Sequence, residues 1–208
     1  VSIASSTLAN TVIVLDFETT GLSPDNGDRA IEIGAVKLVD GVVVDSFQEL
    51  MNPGRRVNSF IENYTGISNQ MLQTADDCET VMARFANFIE DFNLVAHNAS
   101  FDKKFLDAEF ERINYQYSGQ FACSLLLSRR INQDAPNHKL GTLVDYHQLP
   151  NDGVFHRALA DATMTGHLWL HQLDTIELHR PHQVITFDNI QTITRLPKAK
   201  VMDFIKKI

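Results

Sequence analysis

The spacing of hydrophobic and polar positions changes period several times along the chain, and each change marks an element. Val12-Ile13-Val14-Leu15 is an unbroken apolar run, which predicts a buried strand over about residues 11–18. Ile31 to Val39 predicts a second strand and Val42 to Leu50 a third, with Asp40-Gly41 between them as a two-residue hairpin signal. Pro53-Gly54 closes this unit, and residues 55–76 read as irregular with short helical pieces. The period then becomes helical. Val81, Phe85, Phe88 and Ile89 predict a helix over 78–91. Asn93 to His97 is a short apolar strand. Phe101, Phe105, Leu106, Phe110 and Ile113 give a buried stripe to a helix ending near Asn114, with Asn98 or Ser100 as its expected cap. A strand over Gln120–Cys123, a helix to about Asn132, a helix over Leu140–His147 and a long helix from Ala158 to about Leu178 follow. A hairpin of strands followed by alternating helices and strands predicts a three-layer α/β domain with a mixed sheet.

Pro181 marks a boundary, dividing the chain into a domain of residues 1–180 and a tail of 181–208. The tail holds five basic residues against two acids, a net +3, while the body carries −11. Lys198 to Ile208 predicts an amphipathic helix, with Val201, Met202, Phe204, Ile205 and Ile208 opposite the lysines. It reads either as a helix that packs back on the domain or as a docking segment for a polymerase or a second copy.

Composition narrows the class. Hydrophobic content of 44% and charged content of 21% over 208 residues are those of an ordinary globular protein with a sizeable core. A net charge of −8 gives no global nucleic-acid signature, yet a metal-dependent nuclease can be acidic because its ions meet the phosphates. Cys78 and Cys123 are too few for a disulfide framework and fit a reducing compartment such as the cytoplasm. No apolar run approaches the length of a membrane span. Val1 to Asn10 lacks the basic leader and long apolar stretch of a secretory signal, and the missing initiator Met suggests a trimmed, processed or excised chain.

The candidate chemistry begins at the end of the first strand. Asp16 and Glu18 are two residues apart, so both side chains leave the sheet on the face of Val12 and Val14, while Ile13, Leu15 and Phe17 line the other. Two adjacent carboxylates in an apolar setting raise each other's pKa unless something positive sits between them, and a hard divalent cation is the usual answer. More acids are then expected. Asp102 falls in the first turn of its helix, where the dipole alone would also explain it. Asp161 lies in the long helix between Ala160 and Ala162, whose small side chains allow close approach; in isolation it would read as a solvated helix acid. His156 precedes Asp161 by five positions, so the two cannot share a helix face. To serve the same site, His156 must sit in the preceding loop, which Asn151-Asp152-Gly153 predicts to be mobile. An imidazole there suits a general base.

The segments Asp16-Phe17-Glu18-Thr19-Thr20-Gly21-Leu22, Val95 to Asp102 and His156 to Ala162 together resemble, in order, the three motifs of the DEDDh branch of 3′→5′ exonucleases, which includes the epsilon proofreading subunits of bacterial replicative polymerases. The resemblance covers about residues 10–178 and fills every acidic position and the histidine. It implies a ribonuclease H-like three-layer fold with a mixed five-stranded sheet. It also implies two divalent cations, Mg²⁺ or Mn²⁺, since all the ligands are oxygens. Asp16 would bridge both ions, Glu18 and Asp161 would hold the one on the nucleophile side, Asp102 would act near the other, and His156 would deprotonate the attacking water. The implied substrates are single-stranded or frayed 3′ ends of DNA, with RNA as the alternative, released as 5′-monophosphates during proofreading or repair. Thr19 and Thr20 would meet the terminal nucleotide, Leu22 would be a wedge, Ile61, Thr65, Gly66 and Ile67 would shape the base pocket, and Asn98 would contact the substrate. A silent module that only binds nucleic acid or a polymerase is the alternative of another class. His167 and His171 are at metal-ligand spacing, but without a third ligand they do not predict zinc. His97, at a strand end, reads as packed or hydrogen-bonded.

Overall fold

A computed structural model describes residues 7–151, 153 and 156–208. Five strands form one sheet: β1 (Val12–Thr19), β2 (Ala30–Val39), β3 (Val42–Leu50), β4 (Leu94–Ala96) and β5 (Phe121–Cys123). Their order is β3-β2-β1-β4-β5. The first three run antiparallel, and β4 and β5 run parallel to β1. Asp40 and Gly41 both take positive φ, 51° and 77°, as a type I′ hairpin requires. Helices α1 (Ser59–Thr65), α2 (Asn69–Gln73), α3 (Cys78–Ile89), α4 (Ser100–Arg112), α5 (Ser124–Ile131), α6 (Leu140–Tyr146), α7 (Ala158–Glu177), α8 (Phe187–Arg195) and α9 (Val201–Ile205) cover both faces. The expected mixed, three-layer architecture is present.

The alternation along β1 sorts two cores. Ile13, Leu15 and Phe17 pack with Val81 and Phe85 of α3 and with Phe105 and Phe110 of α4. Val12 and Val14 face the other way, against Trp169 and Ile176 of α7. Phe187, Ile190 and Ile193 of α8 and Val201 and Ile205 of α9 belong to that second core. The apolar positions of the C-terminal segment are therefore used within the chain, though Val184 and Met202 stay exposed.

Several details differ from expectation. Neither Asn98 nor Ser100 caps α4 through its side chain: Asn98 takes a left-handed φ of 63°, Ala99 holds the cap position, and the turn is closed by the Phe101 N–H on the Asn98 carbonyl. The helix predicted over 78–91 ends at Ile89, because Glu90 leaves it with φ 49°. Lys198 to Ile208 is not one helix but a 3₁₀ turn over Lys198–Lys200 followed by α9. Helix α8 was not anticipated, although Thr186 and Asn189 form a capping box at its start. The mobile loop expected at Asn151-Asp152-Gly153 falls partly on Asp152, which with Val154 and Phe155 lies outside the described residues, as does most of Val1 to Asn10. No helix among the described residues is long and apolar enough to cross a membrane.

Candidate active site

The site is built where the first strand outruns its neighbour. β4 is only three residues long and pairs with β1 through Ile13 and Val14, leaving the rest of that edge of β1 open. Asp102, from the first turn of α4, fills the opening: its Oδ1 accepts the Phe17 N–H at 3.0 Å, between the two acids of β1. Asp102 is 2% exposed.

The other wall is α7. Asp16 lies opposite Gly34 and Glu18 opposite Glu32 in the β1–β2 register. A Cβ at Gly34 would lie 2.1 Å from the backbone nitrogen of Leu159, so the first turn of α7 rests directly on the β2 backbone. Glu32 fastens it there. Its fully buried carboxylate accepts the Ala158 N–H at 3.0 Å and the Arg157 guanidinium at 2.8 and 3.1 Å, and Gln48 donates to it at 2.9 Å. One turn on, Asp161 arrives beside the strand acids. Asp16, Glu18 and Asp161 each offer a carboxylate oxygen, and the three atoms lie within 4.8 Å of one another.

This clustering is costly for bare carboxylates. Burial, then Asp102, Glu18 and Asp161, hold the Asp16 carboxyl well above the usual range. Burial, then Asp161 and Glu32, push Glu18 up to about 8, with Arg157 acting in the opposite direction. Burial raises Asp102 to about 7 despite the Phe17 N–H. An all-oxygen donor set whose members destabilise each other's charge fits a hard divalent cation.

His156 sits just before the helix cap Arg157, off the helix, as the angular argument required. Its φ is 62°, an uncommon conformation for a residue with a side chain. Among the described residues, its N–H donates to Asp161 Oδ2 at 3.0 Å, and its ring lies 3.9 Å from that of Tyr64. Tyr64 in turn stacks on Phe60 at 5.7 Å, both on α1 and largely exposed.

The remaining expected residues divide. Leu22 is 82% exposed, next to the acids in sequence, and Asn98 is exposed in the middle of the second motif. Thr19 is buried, its hydroxyl donating to the Gly21 carbonyl at 2.6 Å. Thr20 bonds Asp28 at 3.2 Å and accepts from Arg55 at 2.7 Å. Ile61 is half-buried, Gly66 is the left-handed cap of α1 with φ 72°, and Thr65 is buried, its hydroxyl donating to the Ile61 carbonyl. Ile67 is fully buried in a small core with Ile31 and Leu72, so it does not line a pocket. His97 is hydrogen-bonded on both ring nitrogens, to Ser124 Oγ at 2.8 Å and the His138 carbonyl at 2.9 Å. Sequence reasoning missed Glu32, Arg157 and Tyr64. For Glu32 the signal was present: a charge within a strand, facing the same side as Glu18.

Comparison with known proteins agrees with this geometry. The profile of the exonuclease family matches residues 13–168. The chain belongs to that family, in its DEDDh branch of 3′→5′ exonucleases. Its relatives include the DNA polymerase III PolC-type of Caldanaerobacter subterraneus subsp. tengcongensis, 36% identical over 174 residues, and that of Latilactobacillus sakei subsp. sakei, 40% identical over 157 residues. These alignments cover 84% and 75% of this chain but only 12% and 11% of the relatives. Among solved structures, Exonuclease X in complex with 5′ overhanging duplex DNA superposes with a TM-score of 0.68 at 24% identity, covering 88% of this chain and 99% of that one. The nuclease domain of 3′hExo bound to rAMP, described as a DEDDh family member, gives 0.68 at 19% identity over 88% and 98%. At these identities the structural likeness speaks for the fold.

Proposed function

We propose that the chain hydrolyses DNA from its 3′ end in a reaction dependent on two divalent cations, Mg²⁺ or Mn²⁺, releasing nucleoside 5′-monophosphates in proofreading or repair. The observation that carries this is the convergence of Asp16, Glu18 and Asp161 oxygens within 4.8 Å, with Asp102 against the same strand. These four carboxylates would hold the ions. Bound there, the ions supply charge neutralisation at the phosphodiester and an acidified water. The chain's own residues do the rest. Phe17 fixes the Asp102 carboxylate through its N–H. Asp161 holds the backbone of His156, which places the imidazole at the rim of the cluster. There it takes the proton of the attacking water, while the leaving 3′-oxygen stays with the shortened strand. Leu22 stands where an apolar side chain can separate the terminal base from its neighbour. DNA is favoured over RNA because the relatives at 36–40% identity are DNA polymerases.

The test uses 5′-labelled single-stranded DNA, mismatched duplex and RNA with Mg²⁺ or Mn²⁺. A ladder shortening from the 3′ end, abolished by EDTA and by Asp16→Ala, is expected, with DNA cleaved faster than RNA. Faster loss of RNA would reassign the substrate. Equal cleavage by the variant, or binding without cleavage, would remove the catalytic assignment.

A further inference from the structure

The positive charges of this acidic chain are distributed unevenly. Arg29, Lys37, Arg55, Arg84, Lys103, Arg112 and Arg157 each sit in an ion pair. Among the described residues, eleven cations have no described acid within ion-pair distance, and five of them are Arg129 and Arg130 at the end of α5 and Arg195, Lys198 and Lys200 in the C-terminal segment; the others are Arg56, Lys104, Lys139, Arg180, Lys206 and Lys207. Of the five, all but the half-buried Arg130 are exposed.

These five are neighbours in space. Arg130 Nε donates to the Leu196 carbonyl at 2.7 Å, which ties the end of α5 to the backbone between Arg195 and Lys198. Burial first, then Arg129 and Lys198, hold the His138 imidazole below its ordinary value, so both cations act on one point. Arg195 reaches only the neutral Gln191 Oε1 at 3.1 Å. The acids nearest in sequence, Asp134, Asp188 and Asp203, pair with none of them.

The patch is joined to motif two. A groove of about 250 Å³ is lined by Ala99, Ser100, Lys103, Leu126, Thr194 and Arg195. One end therefore lies within a turn of Asp102, and the other lies at the tail. A second link runs through His97, the residue before Asn98. Its Nε2 faces the His138 carbonyl and must carry the proton, so Nδ1 accepts from the Ser124 hydroxyl. Burial pushes His97 down to about 4, and the neutral ring keeps this arrangement.

We propose that Arg129, Arg130, Arg195, Lys198 and Lys200 form a track for the sugar–phosphate backbone of the substrate strand, reached from the active site along the Ser100–Arg195 groove. The lining offers phosphate the Arg195 guanidinium and the Ser100 and Thr194 hydroxyls, and its one aromatic ring is Phe121, short of the successive platforms that would stack a run of bases. A chain of net charge −8 has no overall attraction for a polyanion, so a local cluster of five unpaired cations is what can supply it. Three of the five lie beyond residues 13–168, outside the stretch matched by the family profile. The track rests on the nuclease reading above and adds how a long strand is held.

The test compares the full chain with a variant carrying Arg129→Gln, Arg195→Gln, Lys198→Gln and Lys200→Gln, on a trinucleotide and on a single strand of about 20 nucleotides, over a range of NaCl concentrations. For the long strand, KM should rise about tenfold or more, and the slope of log KM against log salt should flatten by about 2 to 3, given a slope of about 0.7 per phosphate contact. The trinucleotide KM and both kcat values should stay unchanged. An unaltered KM and salt slope for the long strand would overturn the track. So would a variant that binds DNA normally but fails to bind an acidic protein partner. If the wild type hydrolyses nothing, the nuclease reading fails by itself. Fluorescence anisotropy of the labelled long strand then decides the track, with weaker and less salt-sensitive binding by the variant expected.

Discussion

The acids and the histidine are held in contrasting ways. Asp16 and Glu18 stand on a strand whose other side chains fill two cores and which is bonded to β2 along its whole length. Asp102 and Asp161 are locked to that frame by the Phe17 N–H and by the Glu32 anchor under α7. Among the described residues, His156 is held by the N–H bond to Asp161 and the ring contact with Tyr64, in a left-handed conformation. The difference matches the two proposed tasks: ion binding calls for fixed distances, which the frame supplies, and proton transfer for a group at its edge, where His156 sits.

If the frame matters most, removing a strand acid should have the largest effect. Asp16→Ala is expected to lower kcat by roughly a thousand-fold or more, as loss of an ion's charge stabilisation implies. Its fold should survive, because the change relieves repulsion; near-normal turnover would place the ions elsewhere. His156→Ala should cost less, about 10²–10³-fold in kcat, with Mn²⁺ binding to the DNA-free protein unchanged in calorimetry. Weakened Mn²⁺ binding would make the histidine part of the frame after all.

Glu32 tests the frame without touching a proposed ligand. Glu32→Ala leaves Arg157 and the Ala158 N–H without their acceptor and should lower kcat and Mn²⁺ affinity about tenfold each per folded molecule. Glu32→Gln, which keeps an acceptor oxygen, should recover most of this. If both variants bind Mn²⁺ normally, α7 finds its place without the anchor. A smaller effect, about threefold in KM for DNA, is expected for Tyr64→Ala, since only the resting place of the imidazole is lost. A kcat loss as large as that of His156→Ala would mean that the tether itself is catalytic.

A last effect is on stability and not on turnover. Glu18 is raised in the folded state to about 8, so between its unfolded value near 4.5 and 8 the folded protein binds the extra proton. Stability of the metal-free protein should therefore fall as pH rises. His97 acts with the opposite sign, but only between about 4 and 6.5. Above pH 6.5 the acids dominate, and a loss of about 1–2 kcal/mol by pH 8 is expected in denaturant titrations, abolished by Mg²⁺. A flat profile without metal would mean that the acids are not crowded in solution.

Much of this was legible from local pattern. The strand–turn–strand of residues 31–50 was readable because Asp40-Gly41 dictates its turn, and the face shared by Asp16 and Glu18 follows from a period of two. The off-helix position of His156 followed from its angular offset to Asp161. What was missed depends on contacts distant in sequence. Glu32 is an anchor only because α7 folds back onto β2, and Tyr64 matters only because His156 comes to rest on it. Helix α8 hid behind Val184-Ile185-Thr186-Phe187, whose apolar run obscured the capping signal at Thr186 and Asn189.

The order of the acids along the chain has a temporal consequence. Asp16 and Glu18 are made first, Asp102 about 80 residues later, and Asp161 last of the four. During synthesis, the nascent strand carries its acids before the helix that completes their site has emerged. The cluster of acids is complete only once α7 has docked on Gly34. If these four acids hold the ions as proposed, a nascent chain that stops short of Asp161 should leave the nucleic acid around it uncut.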